Sequence, residues 1–238
     1  MKGDLSSKLA KFVNSGTEPD FCEHITKHDN YIVPANYEPN DFERQIILAS
    51  IVGDGSLSFP YSKPCHARIQ WNMGSREHAI FKAKAFEFVG SSMKEKKNPG
   101  FGDNWFCVAT KSHPLFSRFV ELYGERKKNV KPSSGIFHEL NEIGWAWLYG
   151  DDGHYCNSTR SAFIHTEGFV KPDVEIITSA LNEFIGFECA SVHSYIGGLK
   201  KREMHCVKIN KVGTYEFIKR IESNMADGME YKKGNYQL

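Results

Sequence analysis

The sequence lacks the features that mark several common protein classes. Its six cysteines are scattered and form no C-x-x-C pair, which argues against a disulfide framework and against a zinc ribbon. No apolar run is long enough to span a bilayer, and the first residues lack the apolar stretch and cleavage site of a signal peptide. We therefore expect an intracellular protein, cytoplasmic by default, with reduced thiols and no membrane partner.

The chain also has almost no net charge, but its charges are unevenly distributed. The formal net charge is +1 over 238 residues, which by itself speaks against a nucleic-acid partner. Residues 58–135, however, carry 14 basic and 6 acidic side chains, a net of +8, whereas the segments before and after them are net acidic. The pattern therefore predicts a local cationic surface inside a nearly neutral chain.

Two short segments of the chain look like copies of one element. Residues 46–55 and 144–153 are each an apolar, helix-compatible run that ends in Asp-Gly, at Asp54 and at Asp152. Used twice, such a helix suggests two half-domains that bring two carboxylates to one place. Two neighbouring carboxylates repel each other unless a cation lies between them.

The order of predicted elements repeats once along the chain. A helix, two strands, a helix, two strands and a helix are predicted between residues 40 and 124, and the same order returns between 139 and 238. Residues 125–138 form the natural linker, and residues 1–39 form a polar N-terminal extension with a short helix predicted from Ser6 to Asn14. The predicted fold class is α+β, built from two similar units.

Local signals place the first motif on a helix. Asn40 is a good N-cap, with Glu43 at the capping-box position, so the helix is predicted from Asp41 to about Asp54. The next helix is predicted from about Ser75 to Val89. The residues of this helix expected to face the core are Ile80, Phe81, Ala85 and Phe88. A further helix is predicted from His113 to Gly124, and its residues expected to face the core are Leu115, Phe116, Phe119 and Leu122.

Small residues in each motif suggest how the two helices pack. Ala49 and Gly53 share one helix face, and Ala146 and Gly150 have the same spacing, although they are offset by one residue relative to their aspartate. Small side chains at this spacing let two helix backbones approach closely. Asp54 and Asp152 would then meet at helix C-termini, whose partial negative charge and hard oxygen ligands favour Mg²⁺.

The two motifs, in this order and spacing, resemble those of a single-chain LAGLIDADG homing endonuclease. Residues 67–71 before a helix are similar to the family's second strand, and residues 127–132, 165–169 and 229–232 also match its pattern. The likeness covers roughly residues 41–235. It implies a pair of αββαββα units, with the motif helices at their interface and the sheets forming a DNA-binding saddle. It further implies a monomer on a long asymmetric double-stranded target.

The resemblance also implies a mechanism. The family hydrolyses one phosphodiester in each DNA strand with divalent metal and leaves 3′ overhangs. Mg²⁺ is the expected cofactor, Mn²⁺ an alternative, and Ca²⁺ an ion that binds without turnover. The residues implied as catalytic are Asp54, Asp152, Lys128 and Lys232, and those implied or considered as metal ligands are Asp54, Asp152, Gly53 and Asp151.

The polar faces of the strands supply the candidates for DNA contacts. Arginine is expected to pair with guanine and Gln or Asn with adenine in the major groove, while lysines in hairpin turns more often contact phosphate. The predicted DNA-binding residues are His66, Arg68, Gln70, Lys96, Lys97, Asn104, His154, Asn157, Arg160, His193, Tyr195, Lys200, Lys201 and Arg202.

Three other functions compete with this interpretation. An RNA-splicing maturase or a cleavage-dead DNA-binding protein could use the same fold, but neither needs both aspartates, and this chain has both. The third is an unrelated small-molecule enzyme. It is disfavoured because the sequence has no glycine-rich phosphate loop and no Ser-His or Cys-His signature.

Overall fold

The computed structural model describes residues 33–60, 66–97, 104–124, 135–197, 201–226 and 229–234. The helices are α1 (Asp41–Val52), α2 (Arg76–Ala85), α3 (Pro114–Tyr123), α4 (Glu142–Asp152), α5 (Lys171–Ile185) and α6 (Lys211–Ile221). The strands are β1 (Ser56–Ser58), β2 (Arg68–Met73), β3 (Ser91–Lys97), β4 (Asn104–Thr110), β5 (Gly153–Cys156), β6 (Ser161–Ile164), β7 (Ala190–Gly197) and β8 (Arg202–Ile209). None of these helices is long and apolar enough to cross a membrane. The helix predicted at 6–14 and most of the predicted linker lie outside the described residues.

The strands form two four-stranded antiparallel sheets with equivalent connections. The strand order is β1-β2-β4-β3 in the first sheet and β5-β6-β8-β7 in the second. Each sheet is thus flanked in the chain by the same succession of helices, which confirms the predicted α+β class with two pseudo-symmetric αββαββα units.

Polar caps define where the two motif helices begin. The Asn40 side chain accepts a hydrogen bond from the Glu43 N–H, and Glu43 accepts one from the Asn40 N–H, so the predicted capping box is present. In α4 the cap is Asn141, whose side chain accepts hydrogen bonds from the backbone of Ile143 and Gly144. The repeat predicts the second motif helix from Glu139, whereas the helix begins three residues later, at Glu142.

Helices α1 and α4 pack side by side with their N-termini together and their C-termini together. At the N-terminal end, Gln45 donates to the Glu139 carbonyl (2.8 Å) and accepts from the Asn141 N–H (3.0 Å). A Cβ on Gly144 would lie 2.4 Å from the Gln45 Oε1, so a larger residue there would displace the Gln45 side chain from these hydrogen bonds. The prediction that Gly150 lies at this contact is wrong, because a Cβ added there meets no described atom within 4 Å.

The buried face of α2 is wider than the predicted one. Of the predicted inward residues, Phe81, Ala85 and Phe88 are half-buried and pack against the core, whereas Ile80 is half-buried without being part of that packing among the described residues. The fully buried residues are Ala79, Lys82, Ala83 and Phe86. The unexpected member of this face is Lys82, which points inward to a partner in the other unit. In α3 the prediction for Leu122 is wrong, since it is 63% exposed while Tyr123 is buried.

Candidate active site

The two Asp-Gly segments lie where the motif helices end and the chain turns directly into a strand. The N–H of Gly53 still bonds to the Ala49 carbonyl (2.8 Å) and that of Gly55 to the Ser50 carbonyl (2.9 Å). A Cβ on Gly55 would clash with the Ser50 carbonyl oxygen, and one on Gly153 with the Tyr149 carbonyl oxygen. The glycine after each aspartate is therefore needed for a tight turn that leaves the carboxylate at the helix end.

Asp54 and Asp152 occupy matching positions at these helix ends. Asp54 is exposed and Asp152 is half-buried. The Asp152 carbonyl accepts a hydrogen bond from the His165 N–H (2.9 Å), which joins the foot of α4 to the end of β6. Both carboxylates act electrostatically on the same two ammonium groups, those of Lys82 and Lys232, so the fold brings them into one site.

The donor groups at this site suit a hard divalent cation. Carboxylate oxygens and helix-terminal carbonyls are the ligands that Mg²⁺ accepts. Within the part of the chain that the structure describes, no cluster of three or more His, Cys, Asp or Glu side chains could hold a metal alone. Mg²⁺ commonly binds through one or two carboxylates and completes its shell with water and substrate phosphates. The residues present therefore fit a metal that is shared with a substrate phosphate.

The Asp151 side chain does not lie where a metal ligand is expected. It has no exposed surface, and its Oδ1 is 2.7 Å from the Nζ of Lys82. Its Oδ2 faces the backbone of the other motif, at 3.5 Å from the Asp54 nitrogen. Gly53, the fourth predicted ligand, is buried at the end of α1 and lies against this same carboxylate. Asp151 thus bridges the two helix ends instead of opening towards solvent.

Lys232 reaches the site from a short 3-10 turn near the end of the chain. Its Nζ donates to the carbonyls of Gly150 (2.6 Å) and Asp151 (3.2 Å), at the C-terminus of α4. Tyr149 holds the turn in place through a hydrogen bond from its hydroxyl to the Lys232 carbonyl (2.9 Å). Burial lowers the pKa of Lys232, while the nearby aspartates oppose this shift. The predicted counterpart, Lys128, lies outside the described residues.

The sequence reasoning missed two residues at this site, Lys82 and His78. Both extend from α2, one helical turn apart, and the His78 Nε2 is 3.7 Å from the Asp151 Oδ1. Burial, with the positive charges of Lys82 and Lys232, lowers the pKa of His78 to about 3, so its ring is neutral. The i, i+4 spacing was visible in the sequence, but nothing local showed that this polar face is buried.

The first sheet presents a polar surface that includes several of the predicted DNA contacts. Arg68 and Gln70 lie on one face of β2 and are hydrogen-bonded to each other (3.2 Å). Lys96 lies on the same face of the sheet and places its Nζ 4.7 Å from the Trp105 ring centroid. His66, just before β2, lies 3.4 Å from the Ser117 hydroxyl.

One predicted contact of the first unit, Lys97, lies elsewhere. Lys97 and Asn104 pair with each other at the end of the β3–β4 ladder, one position after the Lys96–Trp105 pair. Because side chains alternate along a strand, this register places Lys97 on the opposite face of the sheet.

The second sheet presents a more aromatic surface. His154, His193 and Tyr195 share its exposed face with Phe163, which the sequence reasoning missed. The rings of Phe163 and His193 are 5.9 Å apart, and those of His193 and Tyr195 are 6.0 Å apart. Tyr195 donates to Glu167 (2.7 Å), and this hydrogen bond raises its pKa to about 12.

The remaining predicted contacts of this unit lie near its two strand connections. Those in the described residues are exposed: Asn157 and Arg160 between β5 and β6, and Lys201 and Arg202 at the start of β8. Lys200 lies outside the described residues.

Comparisons with known proteins agree with this architecture. Residues 44–205 match the model of the LAGLIDADG DNA endonuclease family. A probable intron-encoded endonuclease of Wickerhamomyces canadensis is 23% identical over 156 residues, which are 62% of this chain and 68% of the relative. A probable intron-encoded DNA endonuclease of Mycosarcoma maydis is 33% identical over 89 residues, which are 35% of this chain and 63% of the relative.

Solved structures show the same fold. The homing endonuclease I-WcaI bound to its DNA recognition sequence superposes with a TM-score of 0.68, at 19% identity, over 94% of this chain and 96% of that one. An I-DmoI variant, in complex with nicked target DNA and manganese, superposes with a TM-score of 0.53, at 16% identity, over 78% of this chain and 98% of that one. Because the family model covers more than half of the residues and includes both Asp-Gly motifs, the chain belongs to the LAGLIDADG DNA endonuclease family.

Proposed function

We propose that this chain is a single-chain homing endonuclease that binds a long, asymmetric double-stranded DNA and hydrolyses one phosphodiester in each strand. One observation carries the proposal: α1 and α4 end together and place Asp54 and Asp152 in one site, between two equivalent sheets. Family membership supports DNA as the substrate. The two surfaces differ in composition, which suits two unlike half-sites read by one chain.

Asp54 and Asp152 would hold the divalent metal, with Mg²⁺ as the physiological ion. Manganese in the I-DmoI complex supports divalent metal use. When bound, the metal stabilises charge on the phosphate under attack and lowers the pKa of the attacking water. The glycine turns keep both carboxylates at the helix ends, where DNA phosphates reach them.

The lysines act beside the carboxylates. The Lys232 ammonium, held by two carbonyls at the end of α4, orients a scissile phosphate or the attacking water. Lys128 is the predicted equivalent for the other strand. Arg68, Gln70 and Lys96 contact one half-site, and the second sheet contacts the other.

The test is cleavage of a randomised DNA library with Mg²⁺, followed by sequencing of the cut ends. We expect one long asymmetric site with cuts in both strands and short 3′ overhangs. Asp54→Asn and Asp152→Asn should each abolish double-strand cleavage but retain specific binding in Ca²⁺, whereas Glu175→Gln, an exposed change on α5, should cleave normally. Cutting at the wild-type rate by either aspartate variant contradicts the proposal, and splicing of an intron RNA without DNA cleavage would indicate the maturase.

A further inference from the structure

A buried ion pair connects the two units next to the proposed metal site. Lys82, on α2 of the first unit, places its Nζ 2.7 Å and 2.9 Å from the two carboxylate oxygens of Asp151, on α4 of the second unit. The Lys82 side chain is 1% exposed and that of Asp151 has no exposed surface. The Nζ also lies 3.9 Å from the centroid of the Trp147 ring, a favourable position for a cation.

Stability alone is a weak reason for such a pair. Removing both charges from water costs so much that a buried pair is often no more stable than an apolar pair of similar volume. Its geometry, however, is specific, because the carboxylate must meet the ammonium group in one place. The contacts around the pair therefore indicate what that geometry achieves.

Asp151 lies between the ends of the two motif helices. Its Oδ2 is 3.5 Å from the backbone nitrogen of Asp54 and would be 2.9 Å from a Cβ placed on Gly53. Its backbone continues directly into Asp152. One side chain thus contacts the segment that carries the first proposed ligand and belongs to the segment that carries the second. Any shift of Asp151 moves one ligand relative to the other.

The charge of Lys82 also gives Asp151 a different role from the two proposed ligands, Asp54 and Asp152. Asp54, Asp151 and Asp152 all attract the Lys82 ammonium, and Asp151 does so most strongly. An ammonium in direct contact with both oxygens of Asp151 neutralises the charge of that carboxylate. It therefore leaves Asp54 and Asp152 as the carboxylates that are available to a cation.

We infer that Lys82 and Asp151 are positioning residues of the nuclease site, where Lys82 keeps Asp151 out of the metal shell and Asp151 sets the spacing of Asp54 and Asp152. This inference rests on the proposed function, since it concerns the same two ligands. Both side chains are shielded from solvent and therefore from a bound substrate. They act through the backbone of the proposed ligands.

The experiment compares Lys82→Met, Asp151→Asn and the double variant with wild type and with Lys84→Met, a control on the same helix. The double variant removes both charges of the buried pair. It therefore tests the geometry that the pair imposes without leaving one buried charge unpaired. We expect it to bind the DNA target with wild-type Kd in Ca²⁺ and to keep its KM, while kcat at saturating Mg²⁺ falls about tenfold or more because the ligands are misplaced. A wild-type kcat in a folded double variant would show that the pair serves only stability, and would overturn the inference.

The single variant Lys82→Met tests the charge separation without relying on cleavage. It frees the Asp151 carboxylate, so added Ca²⁺ should raise the Tm of the DNA-free protein more than in wild type or Lys84→Met. An equal Ca²⁺ shift would refute this role of Lys82. If Lys82→Met does not fold, the kcat of the double variant decides whether the pair positions the ligands. If wild type cuts no DNA, the proposed function fails, whereas the Ca²⁺ shift still tests the pair.

Discussion

The same substitution at two glycines of α4 should have opposite effects on stability. Gly144 lies against the facing helix α1, whereas a Cβ at Gly150 meets no described atom within 4 Å. Gly→Ala in a helix favours the folded state by about 1 kcal/mol when the new methyl group has space. Gly150→Ala should therefore stabilise the protein by about 0.5–1 kcal/mol, with the smaller value reflecting its position in the last turn.

Gly144→Ala gains the same propensity but forces a clash. Its Cβ would collide with the Gln45 Oε1 and approach the Leu140 Cδ2 to 2.8 Å. Overpacking costs about 1–3 kcal/mol. Displacing Gln45 also weakens its two hydrogen bonds, to Glu139 and from Asn141, worth about 0.5–1.5 kcal/mol each. After subtraction of the propensity gain, we expect a loss of about 1–5 kcal/mol.

Urea unfolding followed by circular dichroism measures both variants under one condition. The difference between them should be at least about 1.5 kcal/mol, well above the precision of the midpoint when the m-value is unchanged. A Gly144→Ala variant as stable as wild type would refute the close approach of α1 and α4 at this residue. Destabilisation by Gly150→Ala would refute the open position of Gly150.

Three further predictions follow from the site and its surfaces. Lys232→Met should lower kcat about 100-fold at unchanged specific DNA binding, because a positioned charge near the phosphate is lost; an unchanged kcat in single-turnover assays would exclude its catalytic role. The pKa of His78 is lowered from 6.5 to about 3 mainly by burial, so the unfolded chain takes up a proton that the folded chain does not, and stability should fall as the pH decreases from about 6.5 to 3. Unfolding titrations should show a smaller loss over this window for His78→Gln, and an equal loss would contradict the burial of the ring. Arg68→Ala should reduce discrimination at one or two base pairs of a single half-site by about 1–3 kcal/mol, measured by competition with singly substituted targets; a uniform loss over all targets would indicate a phosphate contact instead.

Much of the fold was predictable because its signals are local. The Asn40–Glu43 capping box, the glycine turns after the motif aspartates and the alternation around Ile69 and Trp71 each act within a few residues. They determine helix ends and strand faces almost independently of the rest of the chain. The repeated order of elements then predicted two similar units, as the two equivalent sheets confirm.

The candidate site was predictable only in part. Asp54 and Asp152 could be named because each ends a recognisable motif, and Lys232 because it matches a family position. Phe163 was missed because an aromatic residue in a strand usually belongs to the hydrophobic core. Only the cross-strand register places it on the exposed face of the sheet, beside His193. Lys128 and Lys200 stay predictions, since they lie outside the described residues.

The sequence by itself determined the two helix–Asp-Gly motifs, their order and the pairing of two units, because these features depend on local propensity and on repetition. Only the tertiary structure decided which glycine of α4 lies against α1 and which residues of α2 are buried. A lysine is normally expected in water, and its burial depends on a carboxylate 69 positions away in the chain. The Lys82–Asp151 pair therefore exists only once the two units have packed against each other.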